Sequence, residues 1–84
     1  MIALRRGQCF YDNKNNEYVY IADMNPGFHD NIIYCLVKGM NEDGEYEQIT
    51  DSLYTRQEIQ RMEFKYQESE EYMQLLRREL HGKN

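Results

Sequence analysis

Eight tyrosines, two cysteines, two histidines and a run of carboxylates between residues 42 and 51 are the side chains here that could do chemistry. A thiol nucleophile needs a base within hydrogen-bond reach, and the pairing on offer is Cys9 or Cys35 with His29. Both cysteines fall inside apolar, strand-like runs without CxxC spacing. They read as small buried hydrophobes rather than as a nucleophile, a redox pair or a disulfide. A metal would need three or four convergent ligands, and Cys9, Cys35, His29 and His81 are scattered along the chain. The stretch Asn41-Glu42-Asp43-Gly44 has part of a calcium-loop pattern, but Gly39 stands where the first ligand belongs and the loop is too short. There is no glycine-rich phosphate loop and no GxSxG, and 84 residues leave little room for a deep pocket. The expectation is no enzyme, no metal and no cofactor.

The remaining chemistry is that of a binding surface. Fifteen acidic residues against ten basic ones give a net charge of −5. Residues 15–58 carry nine acids against Lys38 and Arg56, so the middle of the chain repels phosphate and anionic lipid. Glu42, Asp43, Glu45, Glu47 and Asp51 form the candidate acidic face. Glu45 and Glu47 point the same way, about 7 Å apart, if both lie on one strand. Tyr18, Tyr20 and Tyr46 join them, because rigid tyrosine rings contribute interface contact at low entropic cost. The predicted partner-binding set is therefore Tyr18, Tyr20, Glu42, Asp43, Glu45, Tyr46, Glu47 and Asp51.

Strands and turns must position that set. Residues 8–12 form a short apolar run closed by an asparagine-rich turn at 13–16, and residues 17–24 alternate with period two. Asn25-Pro26-Gly27-Phe28 is a turn sequence in a loop running to about residue 30. Residues 31–40, apolar on both faces, read as a strand inside the sheet. A bulged turn at 41–44 leads into an acidic strand at 45–49, with a brief fifth strand at 52–54.

The period then changes. Thr55-Arg56-Gln57-Glu58 is a capping box and Gly82 a C-terminal stop. Between them Ile59, Met62, Tyr66, Ser69, Met73, Leu76 and Leu80 repeat at alternating steps of three and four. This spacing predicts one helix over about 56–81, roughly 39 Å long, with its seam on the sheet near residues 59–66. Strands of five to nine residues reach only about 17 to 30 Å. The distal half of such a helix would need another cover, so Phe64, Tyr72, Met73, Leu75, Leu76 and Leu80 are the predicted oligomer interface.

The fold class is thus α+β. A single domain over residues 1–84 has an antiparallel sheet of four or five strands at about 8–54 and one long C-terminal helix at about 55–82. The order of short strands, with turns at 13–16, 26–27 and 43–44, resembles SH3-like or partly open small barrels. No apolar leader or membrane-length stretch is present, so a soluble, cytoplasmic chain is expected. As a class, a very short, acidic, tyrosine-rich chain without catalytic motifs is similar to the small inhibitors that bacteriophages and mobile elements encode against host enzymes, anti-CRISPR proteins among them. That resemblance implies a non-enzymatic inhibitor or adaptor engaging a basic surface of a nucleic-acid-handling protein. The alternative is a structural homodimer through the C-terminal helix. The third reading, a single-stranded nucleic-acid binder, lacks the positive groove that stacking platforms require.

Overall fold

The computed structural model describes residues 2–27, 30–45 and 47–82. Its elements are β1 Gln8–Asp12, β2 Glu17–Asp23, β3 Ile32–Met40, β4 Glu47–Thr55, α1 Arg56–Gln60, β5 Glu63–Gln67 and α2 Glu70–His81. The strands pair antiparallel in the order β4-β3-β2-β1-β5. The sheet is not closed, and β4 and β5 are its edges. This is the α+β fold that the sequence predicts. The residues at 52–54 are the continuation of β4 rather than a separate strand.

Local chemistry sets the turns. Asp12 accepts from the Lys14 amide at 3.0 Å and from Asn15 Nδ2 at 2.9 Å, and Asn16 takes the left-handed conformation at φ 55°. An asparagine tolerates that region because its short polar side chain crowds the backbone little. At the β3–β4 hairpin, Asn41 Oδ1 accepts the Glu45 amide at 2.9 Å and the Asn41 carbonyl accepts from the Gly44 amide at 2.9 Å. These bonds hold the acidic turn in one shape.

The single long helix does not form. Thr55 does cap a helix with the full capping box, but α1 ends after one turn and residues 63–67 are a strand paired with β1. Phe64 and Tyr66 are aromatics suited to a pleated ladder. Pairing along β1 satisfies backbone groups that would otherwise face water on an open edge. Ser69, the polar break in the helical seam, is the N-cap of α2: its Oγ accepts the Tyr72 amide at 3.1 Å, ahead of Glu70 and Glu71 in the first turn. Arg6 ties this helix start down, with its Nη2 2.7 Å from Glu70 Oε1 and its Nη1 donating to the Ala22 carbonyl.

Because β5 intervenes, the two helices cover opposite faces of the sheet. Ile59 of α1 packs with Phe10, Val19, Ile21, Ile33 and Cys35. Met73 and Leu76 of α2 pack on the other side with Cys9, Tyr20, Ala22, Leu36 and Ile49. The α2 rod is about 18 Å long and the five strands beneath span about 19 Å, so this helix has no unsupported half.

Gly7 marks the junction on which this layout turns. Its amide donates to the Ile21 carbonyl at 2.8 Å, its carbonyl accepts from the Glu68 amide at 2.7 Å, and its φ is +91°. A Cβ here would overlap Gln67 Nε2 and come within 3.0 Å of the Glu68 carbonyl oxygen. Gly7→Ala should therefore destabilise the chain by roughly 1–3 kcal/mol, read as a lower urea midpoint, whereas Gly27→Ala, with φ +98° but open space around it, should cost less.

Candidate functional site

The acidic face is built on the β3–β4 hairpin, whose register runs unbroken from Ile32 opposite Thr55 to Met40 opposite Glu47. Glu42, Asp43 and Glu45 lie exposed in the loop, and Glu47 and Asp51 lie exposed on β4. Glu45 precedes the strand, so the expected Glu45–Glu47 pair on one strand face does not exist. Strand alternation instead puts Glu47 and Asp51 on the side that α2 covers, about 13 Å apart. Asp51 Oδ2 accepts the Tyr34 hydroxyl at 2.7 Å, and burial together with this bond raises Tyr34 to about 12. Among the described residues none of the five carboxylates forms an ion pair. The ion pairs are Arg6–Glu70 at the start of α2 and Lys65–Glu63 on the far edge strand.

Exposed apolar groups border these charges. Met40 is 54% exposed, Leu53 47% and Tyr18 37%. Period-two alternation in β4 makes Leu53 legible from sequence as a neighbour of Asp51. Met40 at the strand end carries no such signal.

The tyrosines divide between surface and interior. Tyr18 is exposed as expected, but Tyr20 is fully buried and cannot touch a partner. Its ring packs against Tyr72 at 5.8 Å and its hydroxyl lies 3.3 Å from that of Tyr66. It is buried because α2 lies over β2, an arrangement that the long-helix reading did not contain. Burial, then the bond to Tyr66, pushes the Tyr20 hydroxyl far above its ordinary range. Tyr46 lies outside the described residues.

A feature invisible in the sequence is the holder around Lys38. Its Nζ sits 5.7, 5.8 and 5.6 Å from the ring centres of Tyr18, Tyr20 and Tyr72 and donates to the Tyr72 hydroxyl at 3.0 Å. Desolvation pulls the Lys38 ammonium down, but the Tyr72 bond and the field of Tyr72 and Glu47 outweigh it, so it stays charged. The β2–β3 register, which pairs Tyr18 with Lys38, and the placement of Tyr72 on α2 together assemble these groups.

The predicted oligomer surface is corrected in the same way. Met73 and Leu76 are buried against the chain's own sheet, and Tyr72 and Leu80 pack partly buried around them. Phe64 is on β5, edge-on to Phe10 at 5.5 Å, on the face away from α2. Of the six residues, Leu75 is the one left exposed on the helix, so no continuous apolar stripe remains there.

Cys9 and Cys35 are free and buried in opposite cores, and desolvation raises the Cys35 thiol to about 12. His29 lies outside the described residues. Among the described residues no three His, Cys, Asp or Glu side chains are grouped to hold a metal ion, and no helix is long and apolar enough to cross a membrane. Comparison with protein families, curated proteins and solved structures finds no match to this chain.

Two outcomes follow from these environments. Lys38→Met should lower stability by about 1 kcal/mol in chemical denaturation, through loss of the ring contacts and the Tyr72 bond. Tyr34 and Tyr54 are raised to about 12, Tyr54 chiefly by burial, so the native chain keeps protons that the unfolded chain releases near pH 10. Their contribution to stability should be fully present below about pH 10 and lost as pH rises toward 12, read as a falling melting temperature alongside phenolate absorbance.

Proposed function

We propose that the chain is a non-enzymatic protein-binding module, an inhibitor or adaptor that engages a basic surface of its partner through the β3–β4 hairpin. The observation that supports this reading is the set of exposed carboxylates, Glu42, Asp43, Glu45, Glu47 and Asp51, none of which forms an ion pair among the described residues, beside the bared apolar groups Met40, Leu53 and Tyr18. Unpaired charge of one sign steers a partner of the opposite sign, and the apolar groups supply contact once it arrives. Nucleic-acid-handling proteins carry the basic grooves that such a face would fit. Direct binding of nucleic acid is disfavoured by the same charges. Lys38 and Lys65, which lie next to the rings of Tyr18 and Tyr11, are already held by those rings and, for Lys65, by Glu63 at 2.9 Å.

Affinity capture from cells that express the protein, read by mass spectrometry, tests this. The wild-type chain should capture a basic protein whose recovery falls steeply as salt rises across the range where Debye screening takes hold. A variant combining Glu42→Gln, Asp43→Asn, Glu45→Gln, Glu47→Gln and Tyr18→Ala, with an unchanged melting temperature, should recover about tenfold less of it. Equal recovery by both chains, insensitive to salt, would overturn the proposal.

A further inference from the structure

We infer that the free edge of β4 is a docking groove in which an extended, basic segment of a partner protein adds as a sixth strand. The inference rests on the proposed function and narrows it to a mode of binding and a partner chemistry.

Edge strands in soluble proteins are normally blunted by a bulge, a proline, a lysine or a covering element. β4 runs for nine residues, Glu47–Thr55, with no register shift, no proline and no lysine, and most of its side chains are exposed. Its outward backbone amides and carbonyls therefore form an open ladder. The other edge, β5, is shorter, its pairing with β1 is irregular between Cys9 and Phe10, and Lys65 lies within it.

On the α1 face beside this edge, residues 50–54 line a cleft of about 550 Å3 together with Val37, Asn15, Glu17 and Glu58, with no Lys or Arg in its lining. Asp51 lines it as well. Burial, then the neighbouring Asp12, raises the Glu17 carboxyl, as expected for an acid with no cation beside it. Glu58 has given one oxygen to the Thr55 amide at 2.8 Å. Acids thus stand on both sides of this edge: Glu47 and Asp51 on β4 itself toward α2, and across the cleft on the other face Glu58 of α1 and Glu17 of β2, two strands in.

Charge selects the occupant. A second copy would bring two further carboxylates to this edge: pairing antiparallel about Asp51 sets Asp51 against Asp51 and about Ile49 sets Glu47 against Asp51 twice, while pairing about Thr50 sets each carboxylate against an apolar residue and supplies no cation. Like charges directly opposite destabilise a ladder. A nucleic-acid strand brings phosphates to the same carboxylates. A peptide strand instead satisfies the free backbone groups, and alternate side chains supply the specificity. Opposite Glu47 and Asp51 it needs cationic residues four apart, opposite Ile49 and Leu53 apolar ones, and a further cation toward Glu17 and Glu58.

The probe is the peptide acetyl-TVKRTVKRT-amide, titrated into the isotope-labelled full chain and followed by amide shifts and hydrogen exchange. It should bind with Kd below about 1 mM and slow exchange at alternate β4 amides. Combined Glu47→Gln and Asp51→Asn, which keeps an acceptor for Tyr34, should weaken binding on the order of tenfold. Two versions N-methylated on one or the other alternate set of amides separate pairing from attraction. One should lose binding altogether and the other should stay within about threefold of the parent. If both bind like the parent, strand addition is overturned while the acidic surface of the proposed function stands. Equal binding by acetyl-TVEETVEET-amide overturns the basic occupant, and no binding by any peptide at about 5 mM overturns the inference as a whole. The proposed function itself fails only on the salt-sensitive capture experiment.

Discussion

Backbone pairing between β5 and β1 is the contact on which the rest of the molecule depends. Without it β1 would be an edge, and the chain after Thr55 would have no reason to leave the helical path that its capping box opens. With it, the polypeptide crosses from one face of the sheet to the other within residues 61–69. Ile59 then reaches one core and Met73 the other. A chain with strict core formers in about a fifth of its residues gains two thin cores in this way, each closed by a short helix. Neither helix need be stable alone, since a single turn and a three-turn rod are both below the length at which isolated helices persist.

The same crossing explains which parts of the chain were legible in advance. Residues 8–12 as a short apolar run, 17–24 by period-two alternation and 31–40 as a segment apolar on both faces, each set between turn residues of known chemistry, read as strands and fold as strands within a residue at their ends. Residues 59–80 carry two signals at once. The three-four spacing of Ile59, Met62, Tyr66, Met73 and Leu76 is that of a helix, yet Phe64-Lys65-Tyr66 is also a short alternating strand. Periodicity alone does not separate the two over five residues, and the decision lies with a partner strand more than fifty residues earlier in the chain. Ser69 held the local clue, since Ser followed by two glutamates is a helix start.

The candidate surface divides along the same line. The carboxylates at 42–51 were legible because a hairpin loop and an edge strand are exposed whatever their register. The tyrosines were not, because exposure of a ring on a strand depends on which face the helix covers. Tyr18 and Tyr20 share a face two residues apart, but α2 lies over Tyr20 through Tyr72 and leaves Tyr18 at the rim. The Lys38 holder needed the register of β2 on β3 and the placement of α2 together, and neither is encoded within a few residues of Lys38.

The two edges of the sheet differ in a way that follows from where the acids fall in the chain. β5 lies in the last third, where acids and bases balance, and it carries a Glu63–Lys65 pair that makes the edge polar but nearly neutral. β4 lies in the acidic middle and carries carboxylates alone. Such an edge disfavours its own kind, because the self-pairings centred on Ile49 and Asp51 bring like charges together and the one centred on Thr50 supplies no cation. It is not protected against a strand of opposite charge. A lysine or proline in β4 would have guarded against both. Their absence over nine residues leaves charge as the guard on this edge, and charge of this sign opposes a second acidic strand where it does not oppose a basic one.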